Sequence, residues 1–165
     1  MKDSDNKIAE SLFWQLSTLG GGKFGNLESA VFNIEGVLQR AGIPKDSGYK
    51  IADGSGLSLY NYITPQMLNA LLVYAWWQQD IRAHLIPALP VGGVDGTLKK
   101  RFQGTTAYNN IFAKTGTVSG ISSLSGYANG GNGHIISFCI INQGVQRGSM
   151  GRDFQDQVCI ALTEK

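Results

Sequence analysis

The sequence has little charge, little cysteine and little histidine, and each shortage excludes something. Charged residues fill only 16% of the 165 positions, and 14 Lys+Arg against 12 Asp+Glu leave a net charge of +2. A dedicated nucleic-acid surface normally carries a strongly basic balance, so no nucleic-acid partner is expected. The two cysteines, Cys139 and Cys159, fit no metal spacing, and His84 and His134 have no companion at ligand spacing. No metal and no cofactor is therefore expected. Each cysteine sits in an apolar run and reads as a buried, inert thiol; spacing leaves a disulfide between them open. Long apolar runs are missing too. The longest, Leu68 to Trp77, is interrupted by Asn69 and is far shorter than the ~20 residues that span a bilayer. Met1-Lys2-Asp3-Ser4-Asp5 is followed by no apolar segment, so it is not a signal peptide, and the chain as given is expected to be soluble.

What is present points to a packed domain. The 42% hydrophobic fraction supplies a core. Gly occurs 22 times, about double the roughly 7% of average usage. Without a G-X-Y period that excess means tight turns and close backbone approaches. The length suits one domain or a part of one.

Helices are expected first. Asn6 to Leu19 places Ile8, Leu12, Phe13 and Leu16 on one face, with Ser4 and Asp5 at cap positions and Gly20-Gly21-Gly22 as the stop. Asn26 caps a second helix carrying Ala30, Phe32, Ile34, Val37 and Leu38, ended by Gly42 and Pro44. Tyr49 to Ala52 reads as a short strand running into the turn Asp53-Gly54-Ser55-Gly56. Thr64 and Pro65 open a third helix, apolar enough to be buried on most sides. Asp80 to Leu89 adds a further helical turn or two. A Gly-rich loop follows from Val91 to Tyr108, and its cluster Lys99-Lys100-Arg101 reads as a solvated face without a partner.

The last third changes character. Ile111 to Thr115, Ser123 to Ala128 and His134 to Ile141 read as consecutive antiparallel strands joined by turns such as Asn129-Gly130-Gly131-Asn132-Gly133. A final helix from about Arg147 carries Met150, Phe154, Val158 and Leu162 at intervals of four. The expected class is α+β, an antiparallel sheet with helices, read as one domain. Trp14, Trp76 and Trp77 fall on helical apolar faces and are assigned to the core. Asp53 and Ser55 are read as turn formers bonding their own backbone, while Tyr60 and Tyr62 stand beside that turn, where they could line a cleft.

Two short motifs carry chemistry. Ser4-Asp5-Asn6 precedes a helix, and Lys114-Thr115-Gly116-Thr117 ends a strand. Each is weak alone, but their order, separation and placement together suit acyl transfer. A Ser hydroxyl and an Asn amide on one wall of a cleft can relay a proton and hold a substrate amide. A Lys on an edge strand opposite can bind a carboxylate or lower the pKa of a neighbour. Gly116 leaves room for substrate along the strand, and the next backbone N–H can serve as an oxyanion donor.

S-D-N and K-T-G are two of the three motifs shared by class A β-lactamases and penicillin-binding proteins. The strings Ser4-Asp5-Asn6-Lys7-Ile8-Ala9-Glu10, Asp53-Gly54-Ser55-Gly56-Leu57-Ser58 and Ala113-Lys114-Thr115-Gly116-Thr117 more closely resemble one branch. That branch is the low-molecular-mass class C penicillin-binding proteins, the peptidase S13 D-alanyl-D-alanine carboxypeptidases/endopeptidases. The resemblance covers nearly the whole chain but only the C-terminal portion of the family protein. It implies a partial β-lactamase/transpeptidase-like fold lacking the N-terminal segments. It also implies serine-type carboxypeptidase activity in the parent, peptidoglycan stem peptide and β-lactams as ligands, and an extracytoplasmic location. By the same resemblance Ser4 is the proton shuttle toward the leaving amine, and Asn6 contacts the substrate backbone and the catalytic lysine. Lys114 and Thr115 bind the terminal carboxylate beside Gly116, and the Thr117 N–H is one oxyanion donor.

The departures are as informative. The family's nucleophile belongs to a Ser-x-x-Lys motif upstream of S-D-N. Ser4-Asp5-Asn6-Lys7 fits that pattern literally, but these residues belong to the second motif; Ser47-Gly48-Tyr49-Lys50 also fits it but lies downstream of S-D-N, and Ser11, Ser17, Ser29, Ser55 and Ser58 have no Lys three residues on. The chain therefore reads as a C-terminal fragment, inactive by itself, whose open sheet edges favour self-association. Family members commonly carry Arg where Leu59 stands, and Val118-Ser119 replaces a larger polar continuation of the strand, so the stem-peptide subsite differs. The alternative is a non-catalytic peptidoglycan-binding or structural module that keeps the fold.

Overall fold

The computed structural model describes residues 1–19 and 25–164. The chain falls into two compact units, Asp5–Tyr74 and Met1–Ser4 with Ala75–Lys165. Gly20, Gly21 and Gly22, expected to stop the first helix, lie outside the described residues.

In the unit Asp5–Tyr74, helix α1 spans Asn6–Leu16 and helix α2 spans Leu27–Arg40. Both start where side-chain chemistry dictates. Asp5 accepts the Ile8 N–H and Asn26 accepts the Ser29 N–H, each filling one of the donors that a helix start leaves unpaired. At the end of α2, Gly42 takes φ +78° and lets the Ile43 N–H return to the Leu38 carbonyl at 2.9 Å. Phe13, Ala30, Leu38 and Ile43 are buried. The Asn33 amide donates to the Leu16 carbonyl at 2.9 Å and ties the two helices together. The expected α1 face is only partly realised: Phe13 is buried, but Ile8 and Leu12 are exposed. Trp14 is exposed as well and is not a core residue. The strand expected at Tyr49–Ala52 reduces to a single bridge, Lys50 to Tyr62, because Asn61 and the 53–58 turn take the neighbouring backbone groups.

Helix α3 spans Pro65–Trp77, opened as expected by Thr64, whose hydroxyl accepts the Met67 N–H at 3.3 Å. It is not buried on most sides, since only Ala75 is fully buried and Trp77 is 76% exposed. Helix α4, Gln79–Ala88, follows directly.

In the larger unit three antiparallel strands lie in the order β1 (Ile111–Val118), β2 (Ile121–Asn129), β3 (Ile135–Gln143). Ser119 and Gly120 make the first turn, with Gly120 at φ +74°, so Val118 stands opposite Ile121 and Lys114 opposite Ser125. Helix α5, Gly148–Thr163, packs on β2 and β3. Leu98, Phe102, Ala107, Ile111, Ala113, Leu124, Ala128, Phe138 and Cys159 form the core between them. Trp76 packs against Tyr127 with ring centroids 5.4 Å apart and the planes tilted by 46°. Burial of that phenol pushes its pKa up to about 12.

The face that α5 buries is one residue away from the one its apolar pattern suggests. Gly151, Gln155, Cys159 and Thr163 point inward, while Met150 and Phe154 are exposed. Close approach explains this: a Cβ on Gly151 would stand 2.8 Å from the Ser122 Cβ. The helix sits too near the sheet there for a large side chain. Fully buried Gln155 is matched at every turn. Its amide nitrogen donates to Ser122 Oγ at 3.1 Å and Asn142 Oδ1 at 3.0 Å, and its oxygen accepts from Arg101 at 3.2 Å. Arg101 also pairs with Asp156 at 2.6 Å, so it leaves the solvated face assigned to Lys99-Lys100-Arg101; the two lysines remain exposed. Both cysteines are free thiols. Burial raises Cys139 to about 11 and Cys159 to about 12, which keeps both protonated and poorly nucleophilic.

Gln155→Ala should lower unfolding stability by ~1–3 kcal/mol, because it takes the buried amide donor away from Ser122 and Asn142 and leaves Arg101 with Asp156 but without its second acceptor. Phe154→Ala, on the exposed face, should change it by about 0.5 kcal/mol or less. Urea denaturation of the two variants checks this; a larger loss for Phe154→Ala would contradict the assigned face.

Candidate functional site

The edge of β1 is closed along one half and open along the other. Ala113 N–H donates to the Pro90 carbonyl at 3.0 Å, and Gly92 N–H donates to the Ile111 carbonyl at 2.8 Å. Backbone direction alternates along a strand, so Ile111, Ala113, Thr115 and Thr117 all turn their N–H and C=O groups to this outer side. Beyond Ala113 no strand among the described residues pairs with it. Thr115 and Thr117 thus present backbone hydrogen-bonding groups at an open edge.

Lys114 curls over that edge. Its Nζ donates to the Thr115 carbonyl at 2.6 Å and to Ser4 Oγ at 2.6 Å. The side chain is half-buried, and burial holds its pKa below the ordinary lysine value. Because Ser4 Oγ accepts from the lysine, the serine keeps its own proton to donate elsewhere. Ser4 sits at φ +53°, a left-handed conformation that costs a non-glycine residue on the order of 1 kcal/mol. Thr115 Oγ1 donates to Thr97 Oγ1 at 3.0 Å. Thr97 belongs to the short 3-10 turn Gly96–Leu98.

The structure brings Ser4, Lys114, Thr115, Gly116 and Thr117 together in one unit. Asn6 belongs to the other unit, where it is the exposed first residue of α1. For Gly116 the expected reason changes. A Cβ there would stand 2.4 Å from Ser123 Oγ, so the neighbouring strand accommodates a side chain at 116 only if the Ser123 hydroxyl turns away.

In the unit Asp5–Tyr74 the Gly-rich loop is held by two carboxylates. Asp53 accepts from Gly56 N–H and Ser58 N–H, each at 2.6 Å, and from Asn61 Nδ2 at 2.8 Å. Burial alone would raise its pKa, but these bonds outweigh it and hold the carboxyl below its usual range. Glu10 accepts from Gly54 N–H at 3.2 Å and Ser55 N–H at 2.9 Å. Asp53 is the turn former expected; Glu10 was passed over because its partners lie 44 and 45 residues away. Leu59, Tyr60 and Tyr62 are exposed on this loop. His84 and His134 are exposed, and among the described residues no group of three His, Cys, Asp or Glu side chains could hold a metal. No helix among them is long and apolar enough to cross a membrane.

Thr97 was also missed. Asp95-Gly96-Thr97 reads as an ordinary turn within the Gly-rich loop, and nothing local marks the threonine.

Comparison with known proteins then gives a consistent result. The family described as D-Ala-D-Ala carboxypeptidase 3 (S13) matches residues 1–165. D-alanyl-D-alanine carboxypeptidase DacB of Haemophilus influenzae is 31% identical over 152 residues, covering 91% of this chain and 31% of that protein. The D-alanyl-D-alanine carboxypeptidase of an Actinomadura species is 36% identical over 172 residues, covering 99% and 30%. The chain spans about a third of the length of the curated relatives it matches. Among solved structures, penicillin binding protein 4 from Haemophilus influenzae, complexed with a β-lactam, superposes with a TM-score of 0.84 at 28% identity, over 96% of this chain and 40% of that one. A penicillin G acylated predatory endopeptidase from Bdellovibrio bacteriovorus shares the fold, with a TM-score of 0.75 at 22% identity over 99% and 44%. The chain is thus α+β, a partial β-lactamase/transpeptidase-like fold.

Lys114 supplies a direct test of the site's geometry. Its folded pKa lies below the ordinary lysine value of 10.5, so between the two values the unfolded chain still holds the proton that the folded chain has lost. The stability contribution of this group therefore rises with pH across that window, as the cost of burying the ammonium is released. A Lys114 13Cε titration by NMR should give a midpoint below 10.5 that Lys114→Met removes. A midpoint at or above that value contradicts the burial.

Proposed function

The chain belongs to the D-Ala-D-Ala carboxypeptidase 3 (S13) family, and from that premise we propose that it is the C-terminal portion of a serine-type D-Ala-D-Ala carboxypeptidase acting on peptidoglycan stem peptides. The observation that carries this reading is the 2.6 Å contact from Lys114 Nζ to Ser4 Oγ beside an open strand edge. An extended peptide can add to such an edge as a further strand. Its terminal carboxylate goes to Lys114 and Thr115, alongside Gly116, and the Thr117 N–H points at the carbonyl oxygen that becomes negative in the transition state.

The acylating serine and its lysine belong, in this reading, to a Ser-x-x-Lys motif outside this chain. That serine oxygen bonds the penultimate D-alanine carbonyl carbon as the carbon–nitrogen bond to terminal D-alanine breaks. The lysine of that motif takes the serine's proton and relays it to Ser4, which passes its own hydroxyl proton to the departing amine, while Lys114 keeps its charge and holds the terminal carboxylate. Asn6 holds the peptide amide. Water then attacks the ester, releasing the shortened peptide and restoring the serine. β-Lactams, as mimics of this acyl donor, form the stable ester. Alone the 165-residue chain has no turnover, and its open edges at β1 and β3 favour self-association. Peptidoglycan lies outside the cytoplasmic membrane, so the protein works in the periplasm or cell envelope.

A second reading, a peptidoglycan-binding or structural module without catalysis, is favoured by the two Ser-x-x-Lys matches of this chain, since Ser4 to Lys7 belongs to the S-D-N motif and Ser47 lies in a bend and opens no helix.

Fluorescent penicillin separates these readings. The longest open reading frame that contains this chain should label covalently, and the 165-residue chain should not. Labelling of the short chain that is lost in Ser4→Ala would make Ser4 the nucleophile and overturn its role as shuttle. No labelling of either would hand the lead to the binding module.

A further inference from the structure

One residue touches both sides of the Ser4–Lys114 contact. Thr97 N–H donates to the Lys2 carbonyl at 3.2 Å, which fixes the segment leading to Ser4. Thr97 Oγ1 accepts from Thr115 Oγ1 at 3.0 Å, which fixes the hydroxyl next to Lys114 on β1. We infer that Thr97, seated by Asp95 and Gly96, is a positioning residue that sets the distance between Ser4 and the Lys114-Thr115 strand.

The flanking residues make sense only as its support. Asp95 receives Lys2 Nζ on one oxygen at 2.5 Å and the Val91 N–H on the other at 2.9 Å. Val91 lies between the two backbone bonds that bind Pro90 and Gly92 to β1. The carboxylate therefore connects Lys2 to the closed half of the same strand edge whose open half carries the site. Both partners of the Lys2–Asp95 pair are about one-third exposed, where an ion pair adds little to stability. Its value is geometric. Gly96 stands at φ +54°, and a Cβ there would lie 2.7 Å from the Lys2 carbonyl oxygen. No other residue permits this approach: a side chain would push Lys2, and Ser4 two residues on, away from the lysine.

Thr115 also gives its hydroxyl proton to Thr97. Thr97 thereby holds the Thr115 hydroxyl in one rotamer, with its proton directed away from the lone pairs that face a ligand. A threonine or serine at position 97 can do this; an isosteric valine cannot.

The inference refines the proposed function, so its test has one arm that does not depend on that function. In the 165-residue chain, Asp95→Asn and Gly96→Ala should each move the Lys114 13Cε titration midpoint upward, toward the free-lysine value, as Ser4 withdraws and water reaches the ammonium. Thr97→Ser should leave the midpoint in place, and circular dichroism and urea denaturation confirm that each variant is folded. In the longer open reading frame, Thr97→Val should slow penicillin acylation ~5–10-fold, the size of one net hydrogen bond, and Thr97→Ser should restore it. Failure of the wild-type long form to acylate would sink the proposed function while the titration still judges the bracket. Unmoved Lys114 midpoints in folded Asp95→Asn and Gly96→Ala, or unchanged acylation in Thr97→Val, would overturn the positioning role.

Discussion

Everything at the site follows from a half-buried ammonium. Lys114 leaves water on an edge strand, and a cation so placed needs oxygen acceptors close by. It finds two, the Thr115 carbonyl at its own edge and the Ser4 hydroxyl 110 residues earlier in the chain. The first is available because no strand among the described residues pairs with β1 beyond Ala113. The second is available only because Met1–Ser4 is carried across by Thr97, with a left-handed residue at each of positions 4 and 96. The strain at Ser4 and the bare backbone at Gly96 are costs that the lysine contact offsets.

The frame behind the strand is built to keep that edge still. β2 holds β1 in a register fixed by a two-residue turn, and α5 clamps β2 through a stripe of small and polar residues. Gln155 reaches Ser122 on β2, Asn142 on β3 and Arg101 on the loop before β1. A slipped register would orphan all of these groups at once, which a purely apolar contact would not do. The polar seam thus specifies the position of the sheet more sharply than hydrophobic burial alone.

Local chemistry was the most legible part of the sequence. Asn26 and Thr64 with Pro65 act within a few residues of themselves, and they start helices where their chemistry dictates. The inward face of α5 was not legible. Met150 and Phe154 outrank Gly151 and Gln155 in hydrophobicity, but the helix lies so near Ser122 that size decides and hydrophobicity does not. Trp14 and Trp77 were misplaced for a related reason: helical spacing identifies a face but not what covers it. At the site, Ser4 and Lys114 were readable because two motifs stand in a recognisable order. Thr97 and Glu10 were not, because each acts on residues far away in sequence through bonds that any turn threonine or helix glutamate could make.

The family assignment and the superposition on penicillin binding protein 4 account for the frame. The proposed chemistry rests on the edge of β1. The most direct test is a crystal structure of the longest open reading frame containing this chain, soaked with a penicillin. The account predicts an acyl carbonyl oxygen within hydrogen-bonding distance of the Thr117 N–H, the drug's carboxylate between Lys114 and Thr115, and an ester to a serine other than Ser4. An adduct lying away from β1, or one bonded to Ser4, would contradict it.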